Sequence, residues 1–168
     1  MSAHEETAMA SSSPGGTPRA ERADAVRRLL FEGRFGVLST ISTKPEGYPF
    51  GSLVPYAQGA RGEPMLLLSA LAQHTKNLLA DPRACLLVAA AGAEDPQQAP
   101  RAALIGKAVQ VSGVEAEDGR ARFLQRHAKA GAFFALDFGL WRLDVAEVRF
   151  VGGFAQAAWV SGSEILDG

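Results

Sequence analysis

Residues 35–70 read FGVLSTISTKPEGYPFGSLVPYAQGARGEPMLLLSA, and the reading of this stretch decides the fold class. Three β-prone or apolar runs, Phe35 to Ser42, Tyr48 to Gln58 and Pro64 to Ala70, are separated by the turn signals Pro45-Glu46-Gly47 and Gly59 to Gly62. Glycine admits positive φ and proline removes an amide donor, so short runs between such clusters read as consecutive antiparallel strands.

Upstream, Ala23, Val26, Leu29 and Leu30 recur at helical spacing among Arg22, Asp24, Arg27 and Arg28, and the pattern stops at Gly33. Ser2 to Pro18, rich in Ser, Gly, Ala and Pro, has too few apolar side chains to offset the entropy of ordering. The expected organisation is a tail over residues 1–20, one domain over 21–162 and a short C-terminal tail over 163–168.

Downstream, Gln73 to Ala80 suits a short helix that stops before Pro82, and Arg83 to Ala91 suits a fourth strand, apolar enough to be buried on both faces. Gly92 to Pro100 has loop composition. Ala102 to Val114 reads as a long strand with Gly106 as a candidate bulge, and Glu115 to Leu136 as a helix interrupted at Gly131. Trp141 to Phe150 and Phe154 to Val160 close the domain. Many short strands, helices at the seams and no βαβ alternation give an α+β split β-barrel: six or more mostly antiparallel strands in a Greek-key-like order with two to three flanking helices.

The 168 residues are 47% hydrophobic, enough for one domain with its own core, and 17 basic against 18 acidic residues give no global attraction to nucleic acid or to an acidic membrane. No apolar run reaches the roughly 18 residues that span a bilayer, and the N-terminus lacks the basic-then-apolar order of a secretory signal, so a cytoplasmic protein is expected. The single cysteine, Cys85, lies in an apolar run and reads as a small packed hydrophobe.

Catalytic hardware is scarce. The chain has no Gly-x-Gly-x-x-Gly, Walker, Cys-x-x-Cys or His-Glu-x-x-His motif, and its histidines, His4, His74 and His127, are too scattered for a metal site. His127, among Phe123, Leu124 and Arg126, reads as a packed histidine rather than an iron ligand. No catalytic side chain is assigned, which leaves a cofactor to carry any reaction. Ser69-Ala70-Leu71-Ala72-Gln73-His74-Thr75-Lys76-Asn77-Leu78 runs from a strand end into a helix, bringing amides, hydroxyls and a cation together; the same pattern suits either a phosphate site or a solvated helix start.

The segments Gly36-Val37-Leu38-Ser39-Thr40, Gly47 to Tyr56, Gln73 to Leu78 with Asp81-Pro82-Arg83, and Arg149-Phe150-Val151-Gly152-Gly153-Phe154, in this order, resemble the pyridoxamine 5′-phosphate oxidase-like FMN-binding split barrels, above all the haem-utilisation (HugZ-type) branch. The resemblance runs from Ala23 to Val160. It implies that Ser52, Leu53, Val54 and Pro55 face an isoalloxazine ring, that Ser69, His74, Thr75 and Lys76 hold a ribityl phosphate, and that Arg101 reaches flavin across a homodimer interface. Two departures stand out: His74-Thr75, or the pair one residue away, stands where the family places an Arg-Lys pair, and Gln156-Ala157-Ala158 lies where pyridoxamine oxidases carry Arg-x-His, which argues against vitamin B6 oxidation. The resulting expectation is an FMN-dependent oxidoreductase acting on a small molecule in a homodimer. The alternatives are a deazaflavin of the F420 kind as cofactor, or a non-catalytic haem- or tetrapyrrole-binding, haem-utilisation protein on the same barrel.

Overall fold

The computed structural model describes residues 18–92, 94–95, 97–153 and 157–166. In chain order the elements are α1 (Arg19–Glu32), β1 (Phe35–Thr43), β2 (Glu46–Gln58), β3 (Pro64–Ser69), α2 (Gln73–Ala80), β4 (Arg83–Ala89) and β5 (Arg101–Gln110). They continue with α3 (Gly113–Arg126), a 3-10 helix (Ala128–Ala135), β6 (Phe138–Val151), β7 (Ala157–Ser161) and α4 (Gly162–Leu166).

The strands lie in the order β3-β2-β1-β4-β5-β6-β7, and an additional β3–β6 pairing closes the first six into an antiparallel barrel, with β7 added on β6. The connection through α2 carries the chain from β3 past β2 and β1, so that β4 pairs with β1. The α+β split barrel is therefore what the sequence forms. No helix among the described residues is long and apolar enough to cross a membrane.

Alternation sets the inside. Leu38, Leu86, Leu104, Val148 and Val160 are paired in register across β1, β4, β5, β6 and β7, and none is more than 2% exposed. Helix α1 plugs one end with Ala23, Val26, Leu29 and Leu30. It ends at Gly33, where an added Cβ would stand 2.3 Å from the Tyr56 hydroxyl; that hydroxyl donates to the Leu30 carbonyl at 2.9 Å. A second cluster (Met65, Leu67, Phe123, Ala130, Leu140) lies between β3, β6 and α3, so β3 is buried on both faces.

Several elements differ from expectation. The helix expected through Leu136 breaks at His127, not Gly131, where the His127 backbone leaves the helical region (φ −131°, ψ 73°) and its Nε2 bonds the Tyr56 carbonyl at 2.8 Å. Strand β4 is not buried on both faces: Leu87 is 40% exposed and Cys85 half-buried. Where a C-terminal tail is expected over 163–168, α4 spans Gly162–Leu166 with Ile165 buried, while Phe154, Ala155 and Gln156, expected in the closing strand and its motif, lie outside the described residues. The expected bulge at Gly106 is present, with a register shift between Ile105 and Gly106 where β5 crosses the Asp144 carbonyl.

Candidate functional site

Helix α2 docks on β1 through Asn77, which is fully buried. Its Nδ2 donates to Thr40 Oγ1 at 2.9 Å; its Oδ1 accepts from the Thr43 amide at 3.0 Å and from Gln73 Nε2 at 2.8 Å. This fixes the first turn of the helix. There His74 Nδ1 meets Ser52 Oγ at 3.2 Å and Thr75 Oγ1 donates to the Ser69 carbonyl at 2.6 Å. Burial pushes the His74 pKa down, which favours the neutral imidazole.

The turn before α2 already holds an anion. Asp137 accepts from Ser69 Oγ and, at 3.2 Å, from the Leu71 amide. The Ser69 hydroxyl and its neighbouring backbone bonds hold the Asp137 carboxyl below the usual carboxylate range. Of the groups expected to receive a ribityl phosphate, Ser69 is thus engaged by the protein's own carboxylate, while Thr75 bonds the Ser69 carbonyl and His74 meets Ser52. Lys76 is exposed beside this turn.

The outer side of the barrel carries a different feature. Leu53 on β2, Val37 on β1, Leu87 on β4 and Ala103 on β5 stand opposite one another in one row, which continues to Arg149 on β6 and Trp159 on β7. Leu53 is 75% exposed, Val37 39% and Trp159 58%; the Arg149 guanidinium lies over the Trp159 ring, 5.4 Å from its centroid. Phe35, opposite Pro55, and Ile105, opposite Cys85, widen the apolar surface on either side. Such a band of exposed aliphatic side chains across four strands is a surface built to be covered.

Of the residues singled out in the sequence, the structure brings Ser52, Ser69, His74 and Thr75 together around the start of α2. Leu53 and half-buried Pro55 face outward, while Val54 is 2% exposed in the core. Arg101 lies apart, at the opposite end of β5, where its guanidinium donates to the Gln97 and Ala99 carbonyls at 3.0 and 3.2 Å. Sequence reading missed Asp137, the Val37–Leu87–Ala103 row and the Arg149–Trp159 pair. The alternation of Leu86 and Leu87 with small residues on β4 was the one signal for the row, and its uniform apolarity hid it.

The CREG β-barrel family matches residues 17–166. The chain is 40% identical to the chloroplastic heme oxygenase HOZ of Arabidopsis thaliana over 96% of its own length and 47% of that protein. It is 30% identical to the heme oxygenase HutZ of Vibrio cholerae over 77% of each chain. Among solved structures, a heme binding protein from Mycobacterium smegmatis superposes with a TM-score of 0.82 at 34% identity, covering 89% of this chain and 61% of that one. The chain thus spans about half the length of the plant relative. These matches overturn the expectation of an FMN-dependent oxidoreductase: the relatives are named for haem.

Proposed function

The chain belongs to the CREG β-barrel family, and from that premise we propose that it is a haem-binding, haem-utilisation protein whose ligand lies on the outer face of β1, β2, β4 and β5. The observation that carries this reading is the registered row Leu53, Val37, Leu87 and Ala103 ending on Arg149 stacked over Trp159. A tetrapyrrole needs a flat apolar seat, a cation for its propionates and a nitrogen for its iron. The row offers the seat and Arg149 the cation. Neither described histidine is placed to supply the nitrogen on this face. His74 Nδ1 meets Ser52, which pairs with core-facing Leu38 and so points away from the Leu53 side. His127 bonds the Tyr56 carbonyl through Nε2 with its ring packed 4.9 Å from Phe123 and 5.8 Å from Phe35, so the reading rests on the seat and the cation. When bound, haem supplies the iron redox chemistry, and this chain's residues seat it and exclude water.

The same face is where a second copy would pack, making a homodimer with the ligand between subunits; a self-complementary patch of this kind is what a two-fold interface requires. The test is competitive. Protein incubated with equimolar haemin and FMN is passed through gel filtration, and the reading expects a Soret band and no flavin absorbance with the protein peak. Flavin retained in place of haem overturns it. Because two relatives are named heme oxygenases, the loaded protein is then given ascorbate in air: decay of the Soret band assigns turnover and its persistence assigns carriage.

A further inference from the structure

Away from the outer face, α1 and α3 flank a groove that crosses the end of β2 and the β2–β3 turn. One half is a cleft of about 380 Å³ lined by Arg27, Arg28 and Arg61; the other, about 250 Å³, is lined by Arg122 and Arg126. The two share Phe31 and Gln58, and Phe31 is 66% exposed at the centre.

The charge here is unbalanced. Arg27 pairs with Asp24 at 2.6 Å and Arg122 with Asp118 at 2.7 Å, both at the margins. Arg126 donates to the carbonyls of Phe31, Glu32 and Gly33 at the end of α1 and lies over the Phe31 ring, with no carboxylate bonded to it among the described residues. Exposed Arg28 and Arg61 likewise have no carboxylate within bonding distance among the described residues; buried Glu63 instead accepts the Arg61 backbone amide at 2.8 Å. Three guanidinium groups without an ion pair among the described residues gather around an exposed aromatic, with Glu21 and Glu32 in the adjoining cleft beside Arg28, in a whole chain of net charge −1.

We propose that this groove docks an acidic, extended segment of another protein, carrying an apolar side chain that seats on Phe31 between carboxylates held by Arg28 and Arg61 at one end and Arg126 at the other. The shape favours a segment over a small anion: both halves are open, whereas small-molecule sites enclose most of their ligand. Guanidinium forks take carboxylates two bonds at a time, and complementary charge speeds and orients docking.

The probe is a fluorescein-labelled heptapeptide of alternating Glu and Asp around one central Phe, read by anisotropy on the full chain. Binding at low salt that weakens as salt is added, and that falls about tenfold in the double variant R28Q/R61Q, is expected from the loss of two charge contacts. Neither side chain has a bonded partner among the described residues, so the variant keeps its melting temperature. Lys44→Gln, in the turn just after β1 ends at Thr43, is the control and leaves binding unchanged. No binding at low salt, equal loss in Lys44→Gln, or full displacement of the peptide by equimolar inorganic pyrophosphate overturns the proposal, the last in favour of a small-anion site.

Discussion

Leu53→Asp tests what covers the outer face. The Leu53 side chain is 75% exposed, so removing it takes little from the barrel itself. Full burial of a leucine contributes about 2 kcal/mol. If a second copy covers the exposed three quarters, the contribution is about 1.5 kcal/mol per subunit, and two-fold symmetry counts it twice, for about 3 kcal/mol. At 1.4 kcal/mol per tenfold, the dimer dissociation constant rises about 100-fold, and desolvating the introduced carboxylate raises it further. Sedimentation equilibrium reads the outcome: the parent chain at about twice 17.7 kDa, the variant at 17.7 kDa, both with the same far-UV dichroism. A parent chain that is monomeric at micromolar concentration refutes the reasoning, as does a variant that dimerises with unchanged affinity.

Other perturbations probe the frame that holds the site. Asn77→Ala removes a fully buried amide that bonds Thr40, Thr43 and Gln73, at a cost of about 3 kcal/mol; at roughly 3 °C per kcal/mol for a chain of this size, melting falls by about 10 °C in a calorimetric scan. Gly106→Ala would place a Cβ 2.0 Å from the Asp144 carbonyl oxygen, and the forced shift of backbone costs about 2 kcal/mol or more, read as a lower urea midpoint. His74 is held below the ordinary histidine pKa by burial, so as pH falls below the unfolded-state value of about 6.5 the unfolded chain takes up a proton that the folded chain does not. Stability therefore declines with falling pH between the ordinary histidine pKa and the lowered one, and His74→Gln flattens that decline in urea titrations; identical slopes for the two proteins would contradict it.

Most of the barrel was legible because its strands lie between turn signals and its helices carry a helical period. What sequence could not decide was which apolar strand is covered on both faces. Pro64 to Ala70 and Arg83 to Ala91 look alike as strings, yet α3 covers the outside of the first and nothing among the described residues covers the outside of the second. Covering is a tertiary fact that local composition does not contain. The break at His127 was hidden for the same reason, since it coincides with a bond to the Tyr56 carbonyl 71 positions away. The polar turn at Ser69 to Lys76 was found from its residue types, but its occupant was not: Asp137 reaches it from the far end of the 3-10 helix. Arg149 and Trp159 come together only through the β6–β7 register, so neither stands out alone.

The central claim is that the outer apolar row and Arg149 seat a haem. It is tested most directly by titrating haemin into the parent chain and into Arg149→Gln while recording the Soret difference spectrum. The account predicts a shifted band that saturates at one haem per chain in the parent, with affinity weakened about tenfold in the variant for the loss of a charge-assisted contact of about 1.5 kcal/mol. Absorbance that rises without saturating in the parent, or a saturating shift that Arg149→Gln leaves untouched, would contradict it.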